Sequence, residues 1–424
     1  MSRSSAPHDR AFFMARESTK RTLKTTGYSW PGVIRSLHFG SGDKQMEHNY
    51  GLGVAGPSSI DEKAQKPVVN VTVGCTPNGL WKKMAIAGLG NLTETASHLT
   101  EDLPGFSMFG YKKVGSEYMV NVMAGGEVNK QELLIDFKSS WITLMQELMG
   151  LYIDYKKNSG FNIAIDIGGF YNVDLGDSLP VPIGRVPVRP HKTTLYVATS
   201  GELDEAFSVQ YTGGGSRCLM RLSGCRLTTY VDNVQDKDIS LKAYADINAL
   251  VAAIDGWSDY DASVDGGGDE KPWTLKPVDE ADIKTSSYQT YYIDKSSAKK
   301  ISHTCADSIK FSTDRALVAS PGPYTAPDLS NYHLEHACLD VGDHLVSLDL
   351  TMKERDLYLE AAYEEGYDLY FYLDIADSTP FHGIFGPGKV MAPIGADVND
   401  KELISLAPTI DFYGGLAKAT FLYE

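Results

Sequence analysis

Residues 345–375, LVSLDLTMKERDLYLEAAYEEGYDLYFYLDI, decide the fold class of this chain. Residues 345–350 are short and apolar and read as a strand. Thr351 stands three residues before Glu354, the capping-box spacing in which two side chains satisfy free N–H groups at a helix start. Leu357, Tyr358, Ala361 and Ala362 recur at the spacing of one helical face, and Gly366 ends the helix because it turns left-handed without steric cost. The period then changes to two. Tyr367, Leu369, Phe371, Leu373 and Ile375 point one way, and Asp368, Tyr370, Tyr372 and Asp374 the other. The spacing predicts strand, helix and half-buried strand, with an acidic side turned outward.

Alternating strands dominate elsewhere. Residues 67–74 (PVVNVTVG), 133–137, 161–167, 193–198, 206–211, 218–222, 227–231, 239–245, 287–292, 308–312, 333–340, 403–406 and 417–423 all carry the signal. Ser139 or Ser140 is placed to cap a helix through Trp141, Leu144, Met145 and Leu148, and a short helix is expected at 248–254. Four prolines in 174–192 make that stretch an extended edge or loop. Residues 255–270, DGWSDYDASVDGGGDE, are acidic, glycine-rich and without hydrophobic period, the clearest boundary signal in the chain.

Composition narrows the function classes. The 424 residues carry a formal charge of −16 and 42% hydrophobic residues, an ordinary globular balance whose acidity argues against tight reading of nucleic acid. Cys75, Cys218, Cys225, Cys305 and Cys338 are odd in number and form no C-x-x-C pair, which fits reduced thiols made in a cytoplasm. No apolar run approaches a membrane span. The N-terminus differs from the rest: residues 1–36 hold seven Lys or Arg against Asp9 and Glu17. It reads as a basic arm docking on an acidic neighbour, or as a transit segment.

Several motifs fail on inspection. Gly51 to Gly56 fits G-x-G-x-x-G but lacks the preceding strand and following helix that place phosphates on helix N–H groups. In Gly383 to Lys389, GIFGPGK, Val390 stands where a P-loop needs Ser or Thr, so a hairpin loop with an exposed lysine is expected. Asp259, Asp261, Ser263, Asp265 and Glu270 have calcium-loop spacing, with Val264 where the turn requires Gly. Of His333, His336, Cys338 and His344, only His336 and Cys338 share a strand face, too few for structural zinc. Ser296 and Lys299 fit S-x-x-K without its companion motifs. No catalytic, cofactor-binding or metal-ligating residue is assigned, and the reading is of a non-enzyme.

The two halves also match in order. Residues 36–39 resemble 308–311, and 52–57 resemble 317–321. Ile135-Asp136-Phe137, with Leu144 and Glu147, matches Leu348-Asp349-Leu350 with Leu357 and Glu360. Residues 163–167 match 371–375, and 236–241 match 400–406. The expected fold is mainly β with a few helices (α+β), in two tandem units. The expected divisions are a basic arm at 1–32, a first domain at 33–255 with long insertions, an acidic linker at 256–272 and a second domain at 273–424.

This ordered pattern resembles that of the tail-tube proteins of long-tailed bacteriophages. The elements that carry the likeness are early strands of the V-x-S-L/I-x-F kind (34–39, 307–311), a capped helix feeding an alternating strand (351–375), and closing I-S-L-type strands (239–241, 404–406). The resemblance implies two β-sandwich or half-barrel units, each with a packed helix, that close a ring-shaped β-barrel on oligomerisation. It implies a structural virion protein, made in the host cytoplasm, whose stacked rings, trimeric if each chain supplies two units, conduct double-stranded DNA without specific binding. The partners it implies are other copies, tape-measure, terminator and baseplate proteins, with no cofactor and no membrane insertion. Other readings are a decoration, collar or baseplate hub protein, or a carbohydrate-binding module.

Overall fold

Short alternating segments of β-branched and aromatic residues make strands through most of the chain. The computed structural model describes residues 10–20, 29, 31–40, 45–50, 57–63, 68–77, 80–93, 95–100, 102–114, 117–158, 187–321, 336–340, 342, 344–391, 407–415 and 418–424. The first half holds β1 (Arg10–Arg16), β2 (Val33–Gly40), β3 (Gln45–Tyr50), β4 (Pro57–Lys63), β5 (Val68–Gly74), α1 (Trp81–Ala87), β6 (Ala96–His98), β7 (Phe106–Val114), β8 (Glu117–Asp136) and β9 (Trp141–Asn158). Next come β10 (Thr193–Thr199), β11 (Asp204–Tyr211), β12 (Cys218–Ser223), β13 (Arg226–Val231), β14 (Val234–Ser240), α2 (Ile247–Asp255), β15 (Tyr260–Val264), β16 (Val278–Asp282) and β17 (Tyr288–Tyr292). The last are β18 (Lys299–Ile301), β19 (Ala306–Asp314), β20 (Val318–Pro321), β21 (His336–Asp340), β22 (Leu345–Met352), α3 (Leu357–Glu365), β23 (Leu369–Ile375), β24 (Phe381–Val390), β25 (Thr409–Phe412) and β26 (Ala419–Tyr423). The protein is mainly β, as its sequence predicts.

A 15-stranded sheet runs β18-β10-β23-β24-β25-β22-β19-β8-β9-β5-β2, with β1, β6, β7 and β26 branching from it. Strands from both halves meet where β8 pairs antiparallel with β19. One face carries a continuous core of Val71, Leu133, Leu144, Phe311, Leu348 and Phe371, into which α1 inserts Trp81 and Met84 and α3 inserts Leu359 and Ala362.

β10 and β18 are neighbours, with Leu195 opposite Ile301, so residues 200–298 are an insertion in a hairpin. That insertion makes a three-stranded sheet, β15-β11-β17, and a four-stranded one, β14-β13-β12-β16. Its core of Phe207, Met220, Leu250 and Ile254 continues into Tyr370, Tyr372, Ile384 and Leu422 of the large sheet. α3 clasps both stems: Tyr358 Oη donates to Glu202, and Lys299 Nζ lies 2.8 Å from the Asp356 carboxylate.

Several expectations change. In 345–375, Thr351 is inside β22, and Asp356 caps α3 by accepting from the Tyr358 and Leu359 N–H groups. Leu357 is 70% exposed, while Gly366 ends the helix with φ of 66° as expected. β23 is buried on both faces, because the insertion covers the side bearing Tyr370 and Tyr372. The helix expected after Ser139 is the strand β9. Ile142, Leu144, Gln146 and Leu148 are buried at alternate positions, and a spacing of four, as from Leu144 to Leu148, satisfies both periods.

Residues 256–272 are no linker: β15 pairs with β11, and Tyr260 is buried. The stretch looks like a linker because its aspartates face solvent around one inward tyrosine. Residues 10–16 of the expected arm are β1, paired with β7, with Phe12 and Met14 in the core. Among the proposed repeat pairs, β2 is paired with β5, whereas β19 lies between β22 and β8. The helix after 137 has no counterpart, and the matches at 52–56, 163–167 and 400–406 lie outside the described residues.

Candidate functional site

The large sheet presents a polar ladder opposite its main core. Following the register from the first half to the second, Ser36, Thr72, Met145, Glu132, Ser312, Ser347 and Asp411 lie on one rung across seven strands. All seven are half-buried or exposed and all but Met145 are polar, while the adjoining Val71, Leu144, Leu133, Phe311, Leu348 and Ile410 are buried. Alternation along each strand produces this division.

Cations on this face are matched locally by carboxylates. Lys310 lies 2.8 Å from Asp349 on the facing strand, and Lys130 lies 2.9 Å from Asp314. Each lysine is held above its ordinary range, first by the hydrogen bond to its aspartate. Hydroxyls fill the gaps: Ser308 donates to the Thr351 hydroxyl, Ser36 to the Thr72 hydroxyl, and Thr409 to the Asp349 carboxylate. A surface so paired offers a passing polyanion little net attraction.

β2 forms one end of this face. Among the described residues it pairs with β5 alone, and Ile34 and Leu37 pack onto the core. A bulge between Ile34 and Ser36, with Arg35 stacked 4.6 Å over Trp141, restricts which strand can add to this edge.

Buried polar contacts lock the halves behind the face. Arg315, just after β19 and 1% exposed, donates to the carbonyls of Gly88 and Leu89 past α1 and of Thr100 past β6, and meets His344 Nδ1 at 3.2 Å. Burial lowers its pKa to about 10. Lys82 of α1 lies 3.2 Å from Asp377 of the second half, and burial lowers its pKa against the pull of that aspartate. Gln146 donates to the Met84 carbonyl and to Gln131, which donates to the Ala85 carbonyl. His98 sits beneath the β12–β13 turn, and burial, with Arg221 next, lowers its pKa to about 4. No signal in the sequence singles these groups out: Gln131 follows Asn129 and Lys130, Arg315 follows Thr313 and Asp314, and Lys82 stands beside Lys83.

Among the described residues, the structure does not bring the candidate motifs together. Gly383 to Lys389 lie in β24, an inner strand, which corrects the expected hairpin loop; Lys389 is exposed and lies 3.6 Å from Asp368. Asp259, Asp261 and Asp265 flank or occupy β15, and no group of three metal-ligating residues occurs among the described residues. His336 and Cys338 are in β21, His344 meets Arg315, and His333 and residues 51–56 lie outside the described residues. Ser296 donates to Asp294, whereas Lys299 is held by Asp356. No helix among the described residues is long and apolar enough to cross a membrane. No protein-family model matches the chain, and no curated protein matches it.

Proposed function

We propose that this chain is a structural virion protein, the tube subunit of a long-tailed phage, whose rings stack into a conduit for genome delivery. The observation that carries the reading is the polar rung from Ser36 to Asp411, continuous through the β8–β19 junction and ending at the β2 edge. Such a face suits a channel wall: broad, hydrophilic, and with its lysines already paired. Adding a strand from the next copy at β2 would remove an edge and extend the wall around a ring. Each chain supplies a group of strands from each half, so three chains would make a ring of six tandem half-barrel units. Rings then stack with one another, with tape-measure, terminator and baseplate proteins completing a tail in the virion.

The test is negative-stain microscopy of the purified chain. Hollow filaments with an axial repeat of roughly 40 Å, the scale of one domain layer, are expected. Three chains per ring support the double unit, and six chains per ring refute it. Discrete particles that never stack would move the assignment to a decoration, collar or baseplate protein.

A further inference from the structure

We propose that the corner where the insertion stands on the large sheet binds a glycan, through pyranose units that carry vicinal hydroxyls. The inference goes beyond the tube reading and does not rest on it. The insertion covers Tyr370, Tyr372 and Ile384 of the large sheet, and the open part of that side runs from there to β2. The boundary is a step between two packed units, the kind of junction at which small-molecule sites form.

The side of the step belongs to the insertion. Lys276 places its ammonium over two tyrosine rings, 4.9 Å from the Tyr370 centroid and 5.8 Å from that of Tyr291. Burial lowers its pKa, opposed by Asp368. Among the described residues no oxygen accepts a hydrogen bond from this ammonium. The floor belongs to the large sheet. Asp368, just before β23, accepts from the Tyr413 hydroxyl and lies 3.6 Å from Lys389, both at Oδ1. Its Oδ2 has no partner among the described residues. Tyr413 and Leu345, each two residues beyond the Ser347–Asp411 pair on its own strand, are 42% and 63% exposed.

An ammonium without an acceptor, an open carboxylate oxygen and exposed aromatic surface fit one class of ligand. A pyranose lays an apolar C–H face on an aromatic ring, and its adjacent hydroxyls each donate and accept. One hydroxyl accepts from Lys276 while its neighbour donates to Asp368 Oδ2. A half-buried charge without an acceptor costs stability, and the ligand hydroxyl removes that cost. A nucleic acid fits worse, because Asp368 stands beside the lysine and the whole chain carries −16.

Affinity electrophoresis of the full chain tests the site, in native gels cast with dextran, mannan, xylan or galactan. At least one of these polysaccharides is expected to retard the wild type. Periodate, which cleaves vicinal diols, is expected to abolish retardation when that polysaccharide is oxidised before casting. Tyr413→Ala, Asp368→Asn and Lys276→Met are each expected to weaken binding about tenfold, the scale of one anchor residue. Circular dichroism melts check folding, and Tyr413→Ala, at an exposed ring, carries the test if Lys276→Met unfolds. The proposal is overturned if no polysaccharide retards the chain, or if retardation survives periodate or Tyr413→Ala. It is also overturned if mobility falls with protein concentration in gels without polysaccharide and Tyr413→Ala reverses this, since the corner is then a contact between copies. Filaments seen by microscopy decide the tube reading separately, so either reading fails without the other.

Discussion

His98 sets a pH limit on this fold that one substitution removes. The imidazole lies between β6 and the β12–β13 turn, its Nδ1 buried without a hydrogen-bond partner. Burial lowers its pKa from 6.5 to about 4, helped by Arg221 and Arg315 and opposed by Asp279. Because the folded state binds the proton less tightly than the unfolded state, stability falls as pH drops from about 6.5 towards 4. The shift corresponds to about 3 kcal/mol across that window, at about 1.4 kcal/mol per unit. Carboxylates with lowered pKa, such as Asp102 and Glu202, also lose stabilisation on acidification, and do so in any variant that leaves them untouched. His98→Leu carries no titrating group, so the difference between the two proteins isolates the histidine. Urea unfolding at pH 7 and pH 4 is expected to show the wild type losing about 3 kcal/mol more than the variant. Parallel losses, within about 0.5 kcal/mol, would refute an uncharged, desolvated His98 in the folded state.

Arg315→Met and Arg315→Lys should each lower stability by about 3 kcal/mol by urea unfolding, since neither replaces the fork that serves three carbonyls, those of Gly88 and Leu89 in buried bonds. Full rescue by Lys would mean that charge, and not the hydrogen-bonding fork, is what the site needs. Gly224→Ala places a Cβ 2.5 Å from both His98 Nδ1 and Leu92 at a φ of +59°, so a loss of about 1–3 kcal/mol in thermal or urea melts is expected. An unchanged midpoint would show that the turn relaxes away from β6. Replacing residues 200–298 by a two-residue turn leaves the β10–β18 pairing possible but uncovers Tyr370, Tyr372, Ile384 and Leu422. The shortened chain should therefore aggregate on expression; a soluble product with a cooperative melt would show that the large sheet is self-sufficient.

The strand-rich class was legible because alternation is a local signal, and Gly366 marked a helix end for the same reason. The errors share a different cause. In β9, Leu144 and Leu148 fit both a helix and a strand, and only pairing with Leu133 and Val128 on β8 decides between them. In β23, tyrosines alternating with aspartates read as a solvent face, because an amphipathic residue serves equally well beneath another sheet. The 255–270 stretch carries every local mark of a linker. Its order comes from β11, some fifty residues earlier, which no window on the sequence contains. Arg315 and His98 were invisible for the converse reason: their significance lies in what surrounds them, not in their neighbours along the chain.

These errors relocate the face on which a conduit would depend. Sequence alternation pointed to the acidic side of 367–375, but the inserted sheets press on that side and bury Tyr370 and Tyr372. A wall for a passing duplex needs a face free of such cover, broad enough to curve, and without unpaired cations. The rung from Ser36 to Asp411 lies on the remaining strands, and its lysine pairs are made across neighbouring strands. The insertion then acquires a different role. It buries β23 and β24 on the same side of the sheet as the polar rung, so the open part of that side runs from the insertion at one end to β2 at the other.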